Sequence, residues 1–156
     1  MSFFKKLKGG FQAPKATVSV TLDKRAFDRQ EPITGTLHVT SSEEFESDEI
    51  RIELEVTEWT KATETPGSTA DGKIIEATVT AQQTVQLYRE KTAITERMKI
   101  TKGFKRDYPF SLPVPLGVPS TYHGRNATNK WMMKGVIAVK GRPDVTSHPT
   151  EVIINP

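Results

Sequence analysis

The sequence predicts an all-β chain folded as an antiparallel β-sandwich, and three observations lead there. Apolar and polar residues alternate at a period of two in several segments. Turn-forming residues recur roughly every eight to twelve positions, and no segment carries a convincing helical period. The clearest alternation runs from Glu49 to Thr60, where Ile50, Ile52, Leu54 and Val56 oppose Glu49, Arg51, Glu53 and Glu55. Wound as a helix, those apolar residues would scatter around the axis. Two facing sheets bury such faces and leave the polar rows in water, as in immunoglobulin-like sandwiches.

The elements follow in order. Val18, Val20 and Leu22 share one side of a first strand, with Thr17, Ser19 and Thr21 on the other. Lys24 to Pro32 is a polar excursion, after which Ile33, Gly35, Leu37 and Val39 resume the alternation in a second strand. Residues 41–48 read as an acidic loop before the strand at 49–60, and Lys61 to Gly72 reads as an exposed linker containing Thr, Pro and Gly. Weaker strands are expected at 73–80, 83–89 and 93–100. Tyr108, Phe110 and Leu112 then line one face of an aromatic strand, while Pro109 and Pro113 each remove a backbone donor that a central strand would need. That strand is therefore expected at an edge. Pro113, Pro115, Gly117 and Pro119 form a stiff connection, Trp131, Met133, Ile137 and Val139 share a face at 130–140, and Glu151 to Ile154 closes the chain.

The 156 residues suit one domain with a substantial core. The expected division is a basic amphipathic tail at 1–15 and a sandwich domain at 16–156. The formal charge is +3, but Lys5, Lys6, Lys8 and Lys15 stand in the tail without an acid, leaving 18 bases against 19 acids in the rest. Basic character thus belongs to the tail. Cysteine is absent, which excludes disulfides, thiolate metal sites and cysteine nucleophiles. No apolar run approaches the roughly 20 residues of a membrane span, and the start lacks a signal-peptide pattern, so a cytoplasmic location is expected.

Several of these segments also carry a family likeness. Val18-Ser-Val-Thr-Leu-Asp-Lys24 followed by Gln30-Glu-Pro-Ile-Thr-Gly-Thr-Leu-His-Val39 resembles the opening of an arrestin N-terminal domain, and Glu49 to Val56 resembles its amphipathic third strand. Tyr108-Pro-Phe-Ser-Leu-Pro-Val-Pro-Leu-Gly-Val-Pro-Ser120, with Lys130-Trp131 and Val136 to Lys140, is similar to the family's aromatic strand, proline turn and returning strand. The opening Met-Ser-Phe-Phe-Lys-Lys6 resembles the start of microbial sporulation-control proteins of the same arrestin-like group. Arg29-Gln30-Glu31 departs from the family, which often places a Gly before the Glu. The resemblance implies an arrestin-like sandwich acting as a scaffold or cargo adaptor without catalysis. It covers about 16–155, one sandwich domain where the group usually has two in tandem. Two expectations follow: a chain cut at the interdomain linker, or a single-domain member that associates with itself.

Chemistry is sparse by comparison. His38, His123 and His148 lack a second ligand at a metal-binding spacing, and Ser111, Ser120 and Ser147 lie outside any Gly-flanked nucleophile elbow. Glu43, Glu44, Glu46, Asp48 and Glu49 lack the spacing and central Gly of a calcium loop and read as a solvated acidic loop. No phosphate-cradling glycine motif is present, so no cofactor is expected and the chain is read as no enzyme.

Candidate partner-binding residues fall in three groups. Phe3, Phe4, Leu7 and Phe11 approach one helical face in the tail, with Lys5, Lys6 and Lys8 largely elsewhere, a pattern read first as packing against the domain or a partner, with disorder or transient contact with an anionic membrane surface as the alternatives. Within a basic run from Arg89 to Arg106 that also holds Arg89 and Lys91 against Glu90 and Glu96, Arg97 and Lys99 point away from Met98 and Ile100 and, with Lys102, Lys105 and Arg106, form a basic stripe. Trp59 lies off the apolar face of its strand beside the linker, placed to anchor a partner. The first reading is a non-enzymatic scaffold or adaptor that binds protein partners, a second copy of itself included, by pairing at an open sheet edge. The alternative is a membrane-surface or nucleic-acid-associated module using the tail and the stripe. Nucleic acid is disfavoured because no exposed aromatics for base stacking are evident.

Overall fold

The computed structural model describes residues 12–64 and 79–156, and every element there is a strand. In chain order these are β1 (Ala16–Leu22), β2 (Ala26–Phe27), β3 (Ile33–Ser41), β4 (Phe45–Glu64), β5 (Val79–Thr95), β6 (Met98–Ile100), β7 (Lys105–Leu112), β8 (Tyr122–His123), β9 (Ala127–Val139), β10 (Val145–Thr146) and β11 (Thr150–Ile154). The expected tail, with Phe3, Phe4, Lys5, Lys6, Leu7 and Lys8, lies outside the described residues, as does the linker from 65 onward.

The strands form two layers. The smaller sheet has the order β1-β3-β7, and the larger has β2-β11-β9-β4-β5, with β8 and β10 also pairing β9 and β6 pairing β4. Strand β11 runs parallel to β2, and the other pairings are antiparallel. Strand β3 shows how sequence sets the layers, because its residues alternate strictly between buried and half-buried along its whole length. Ile33, Leu37 and Val39 enter the core, and Thr34, Thr36, His38 and Thr40 do not. The facing sheet answers with Ile50, Ile52, Leu54 and Val56 from β4 and Trp131, Met133 and Ile137 from β9.

Two core positions, Gly35 and Gly135, have no side chain. Gly135 pairs with Ile52, and a Cβ there would stand 2.8 Å from Val18 Cγ2 and even closer to Leu37 Cδ1. The small sheet therefore presses onto bare backbone of β9. The backbone of Gly135 is held in turn by Ser147, whose hydroxyl accepts from the Gly135 N–H at 2.8 Å and whose own N–H donates to the Gly135 carbonyl at 2.9 Å.

The stiff turn after β7 is anchored at both ends. Val114 and Val118 are buried, Gly117 takes the left-handed backbone at φ 80°, and the indole N–H of Trp131 donates to the Pro119 carbonyl at 2.9 Å. Arg29 donates to the neighbouring Val118 carbonyl. The aromatic strand β7 is an edge, as Pro109 requires.

Three expectations need correction. The separate strands at 83–89 and 93–100 are instead one strand, β5, that ends at Thr95, followed by the short β6. Two irregularities in the β4–β5 ladder, between Ile50 and Arg51 and between Val56 and Thr57, break the alternation from which the sequence was read. The acidic loop is shorter than expected, because β4 begins at Phe45, whose ring is buried and whose backbone pairs with Ile100. At its other end β4 runs past Thr60 to Glu64, since Thr, Lys and Ala there pair with the polar start of β5. Among the described residues no helix is long and apolar enough to cross a membrane.

Candidate interaction surface

Strand β5 is the outermost strand of the large sheet, with β4 as its one partner among the described residues. Among the described residues nothing pairs with its other edge, which offers backbone donors and acceptors over a strand of 17 residues. Nature usually blunts such edges with charge or proline, and from Val79 to Tyr88 this strand has neither. Thr80 to Leu87 are all exposed, Val85 and Leu87 among them. The other edges differ. Strand β7 carries Lys105, Arg106, Asp107 and Pro109, β2 is two residues long, and the seven-residue β1 lies alongside β9 and β10.

The outer face of the same sheet holds an ionic cluster around Glu53. Cross-strand register places Glu53 opposite Lys91 on one side and Lys134 on the other, and Glu55 opposite Arg89. Glu53 is only 5% exposed, and Arg89 lies 3.2 Å from its carboxylate, Lys91 and Lys134 each 3.7 Å, and Arg51 4.0 Å. Arg51 is shared further with Glu49 and Asp144. A cavity of about 220 Å³ opens beside the cluster, between Glu53, Glu55, Arg89, Met132, Lys134 and Pro149.

Burial alone would push the Glu53 carboxyl up. The Arg89 hydrogen bond and the charges of Arg51, Lys134 and Lys91 more than offset this and hold it below the ordinary 4.5. Glu43 is lowered as well, first by the Arg142 guanidinium and then by the Lys15 backbone N–H. Groups lowered in the folded state stabilise it fully above their unfolded pKa, and that stabilisation drains away as pH falls through the folded value. Stability should therefore decline on acidification below about pH 4.5. Glu53→Gln should cost about 2 kcal/mol at neutral pH, because the cations lose their shared carboxylate but keep partial access to water. It should also flatten the acid decline, as urea titrations from pH 7 to 3 would show; an unchanged acid limb would contradict this role.

The residues expected to form a basic stripe separate into two sets. Arg97 lies 3.0 Å from Glu46 and 3.9 Å from Asp48, and Lys99 lies 2.7 Å from Glu44. The acidic segment and this part of the stripe thus neutralise each other, and Glu44 raises the Lys99 pKa. Lys102, Lys105 and Arg106 stand exposed at and after the turn into β7, with the Arg106 guanidinium 5.2 Å from the centre of the Tyr108 ring. Trp59 sits on the outer face of β4, half-buried, opposite Thr128 and Thr84. The structure does not bring Trp59 together with the stripe.

Two of the three histidines have local partners. His38 bridges Asp107 at 2.7 Å and Thr21 at 3.0 Å across the small sheet, and His123 meets Glu151 at 2.9 Å. Sequence reading missed Lys134 and the role of Glu53, because their meeting depends on the register of three strands. It also missed Leu116, 96% exposed at the apex of the anchored proline turn.

Comparison with known proteins fits this architecture. No curated protein matches the chain. Among solved structures, the chain is similar to Spo0M, a sporulation control protein from Bacillus subtilis, with a TM-score of 0.62 and 17% identity. The match covers 91% of this chain and 50% of that one, so the chain spans about half the length of that relative. The likeness is one of fold. The family model for the N-terminal domain of arrestin (or S-antigen) matches residues 18–156. The chain therefore belongs to the arrestin N-terminal domain family.

Proposed function

We propose that this domain is a non-enzymatic scaffold or adaptor module that binds protein partners by accepting an extended segment at the free edge of β5. The observation that carries the reading is the length and chemistry of that edge: 17 residues, uncharged and free of proline from Val79 to Tyr88. Main-chain hydrogen bonds to such an edge give affinity, and side-chain pockets flanking it give selectivity. The family and the fold support an interaction role in general. A second copy of the chain is one of the extended segments the edge could take.

The alternative, a membrane-surface or nucleic-acid-associated module using the basic tail and the stripe, has less support from the described residues. Arg97 and Lys99 already have acidic partners, which leaves Lys102, Lys105 and Arg106 of the stripe to act with the tail.

Selection from a library of linear peptides, followed by amide mapping by NMR, tests the proposal. Selected peptides should perturb β5 amides, and Val85→Lys with Leu87→Lys should weaken binding about tenfold or more while leaving the denaturation midpoint nearly unchanged. Peptides that map to another surface, or that bind the double variant equally well, would refute edge pairing.

A further inference from the structure

The charge around Glu53 goes further and describes the segment that the β5 edge selects. Resting on the edge-pairing reading, we infer that the preferred partner segment is acidic, with carboxylates two residues apart on the face that meets Arg89 and Lys91.

Arg89, Lys91 and Lys134 have Glu53 as their common ion-pair partner among the described residues. Glu55 stands opposite Arg89, and Glu49 and Asp144 lie on Arg51 rather than on β5, so Arg89, Lys91 and Lys134 have two nearby carboxylates, Glu53 and Glu55, among the three of them. Lys134 is on β9, beyond β4 from the free edge, and stays with Glu53. The unbalanced charge therefore resides on β5. There the side chains of Arg89 and Lys91 are 47% and 53% exposed, two residues apart and on the same face. A strand added along β5 would place its own side chains directly beside them, at the roughly 5 Å Cβ separation of cross-strand neighbours. Opposite charges at that separation attract, and like charges repel.

The same geometry argues against a second copy in this part of the edge. Two copies of β5 related by a twofold axis must oppose residues of the same face. A centre at Glu90 sets Arg89 against Lys91 and Glu90 against itself, while centres at Arg89 or Lys91 set each against its own kind. Each of these registers brings like charges together. The contrast with Arg97 and Lys99 is instructive, since those bases are satisfied by Glu44, Glu46 and Asp48 of their own chain.

Three short β-branched peptides test the inference, identical except for two positions two residues apart that are both glutamate, both glutamine or both lysine. The glutamate peptide should map to β5 and bind about fivefold more tightly than the glutamine peptide, with the lysine peptide weakest. Added salt should narrow the spread. Lys91→Gln, which leaves Arg89 and Lys134 on Glu53, should reduce the glutamate preference without unfolding the domain. Equal binding of all three at β5 would overturn the charge inference and leave edge pairing standing. A glutamate preference that maps to Lys102, Lys105 and Arg106 would overturn it too. Binding of none of them at β5, together with library peptides that map elsewhere, would overturn edge pairing itself.

Discussion

Trp131→Ala should cost the domain about 3–5 kcal/mol, a large part of the roughly 5–15 kcal/mol that holds a domain of this kind together. Trp131 is fully buried on β9, opposite Val56 and beside Val152, and it is among the largest fully buried side chains described. Its loss would leave a cavity between the sheets and remove the donor that fixes the Pro119 carbonyl. The proline turn from 113 to 119 should loosen together with the core. Trp131→Phe separates the two contributions. It keeps most of the apolar burial and drops the hydrogen bond, so it should cost about 1–2 kcal/mol. Urea denaturation of the three proteins gives the comparison; equal midpoints for the alanine and wild-type chains would mean that Trp131 is not a core residue.

Gly35→Ala should cost about 3 kcal/mol, near the upper end of ordinary overpacking. Gly35 lies in β3 between Leu22 of β1 and Phe110 of β7, and the Phe110 ring covers it. A Cβ would stand 2.7 Å from Phe110 Cζ and would also meet the Thr21 carbonyl oxygen. That oxygen belongs to the backbone of the adjacent strand, so relief requires the β1–β3 ladder to shift. Gly135→Ala provides the contrast. The atoms in its way are the ends of Val18 and Leu37, which can rotate, so it should cost less, about 1–2 kcal/mol, and Val18→Ala should partly restore it. If trimming Phe110 rescued Gly35→Ala completely, the backbone clash would not be the cause.

Much of the fold was legible because the two-residue period is strong where one face is buried and the other is wet. Strand β3 and the middle of β4 are of this kind, and Pro109 correctly placed β7 at an edge. Strand β5 was harder. Most of its residues are exposed on both faces, and irregularities in its pairing with β4 interrupt the alternation, so it read as fragments. The two-residue strands β2, β8 and β10 are too short to carry a period at all.

The interaction surface was less legible for a related reason. Trp59 lies off the apolar face of its strand, and the stripe residues are exposed bases. What decides their electrostatics is which acids lie opposite, and that depends on register. Arg97 and Glu46 are far apart in sequence yet meet because β6 pairs with the start of β4. Glu53 draws Arg89 and Lys91 from β5 and Lys134 from β9 in the same way.

Residue-resolved amide hydrogen exchange at low protein concentration tests the open β5 edge most directly. Alternate amides of β5, those directed away from β4, should exchange rapidly, while the amides of β4 and β9 remain protected to nearly the global stability. Uniform protection along β5 in the dilute, unliganded domain would mean that the edge is already occupied, and the account of how this domain recruits its partners would fail.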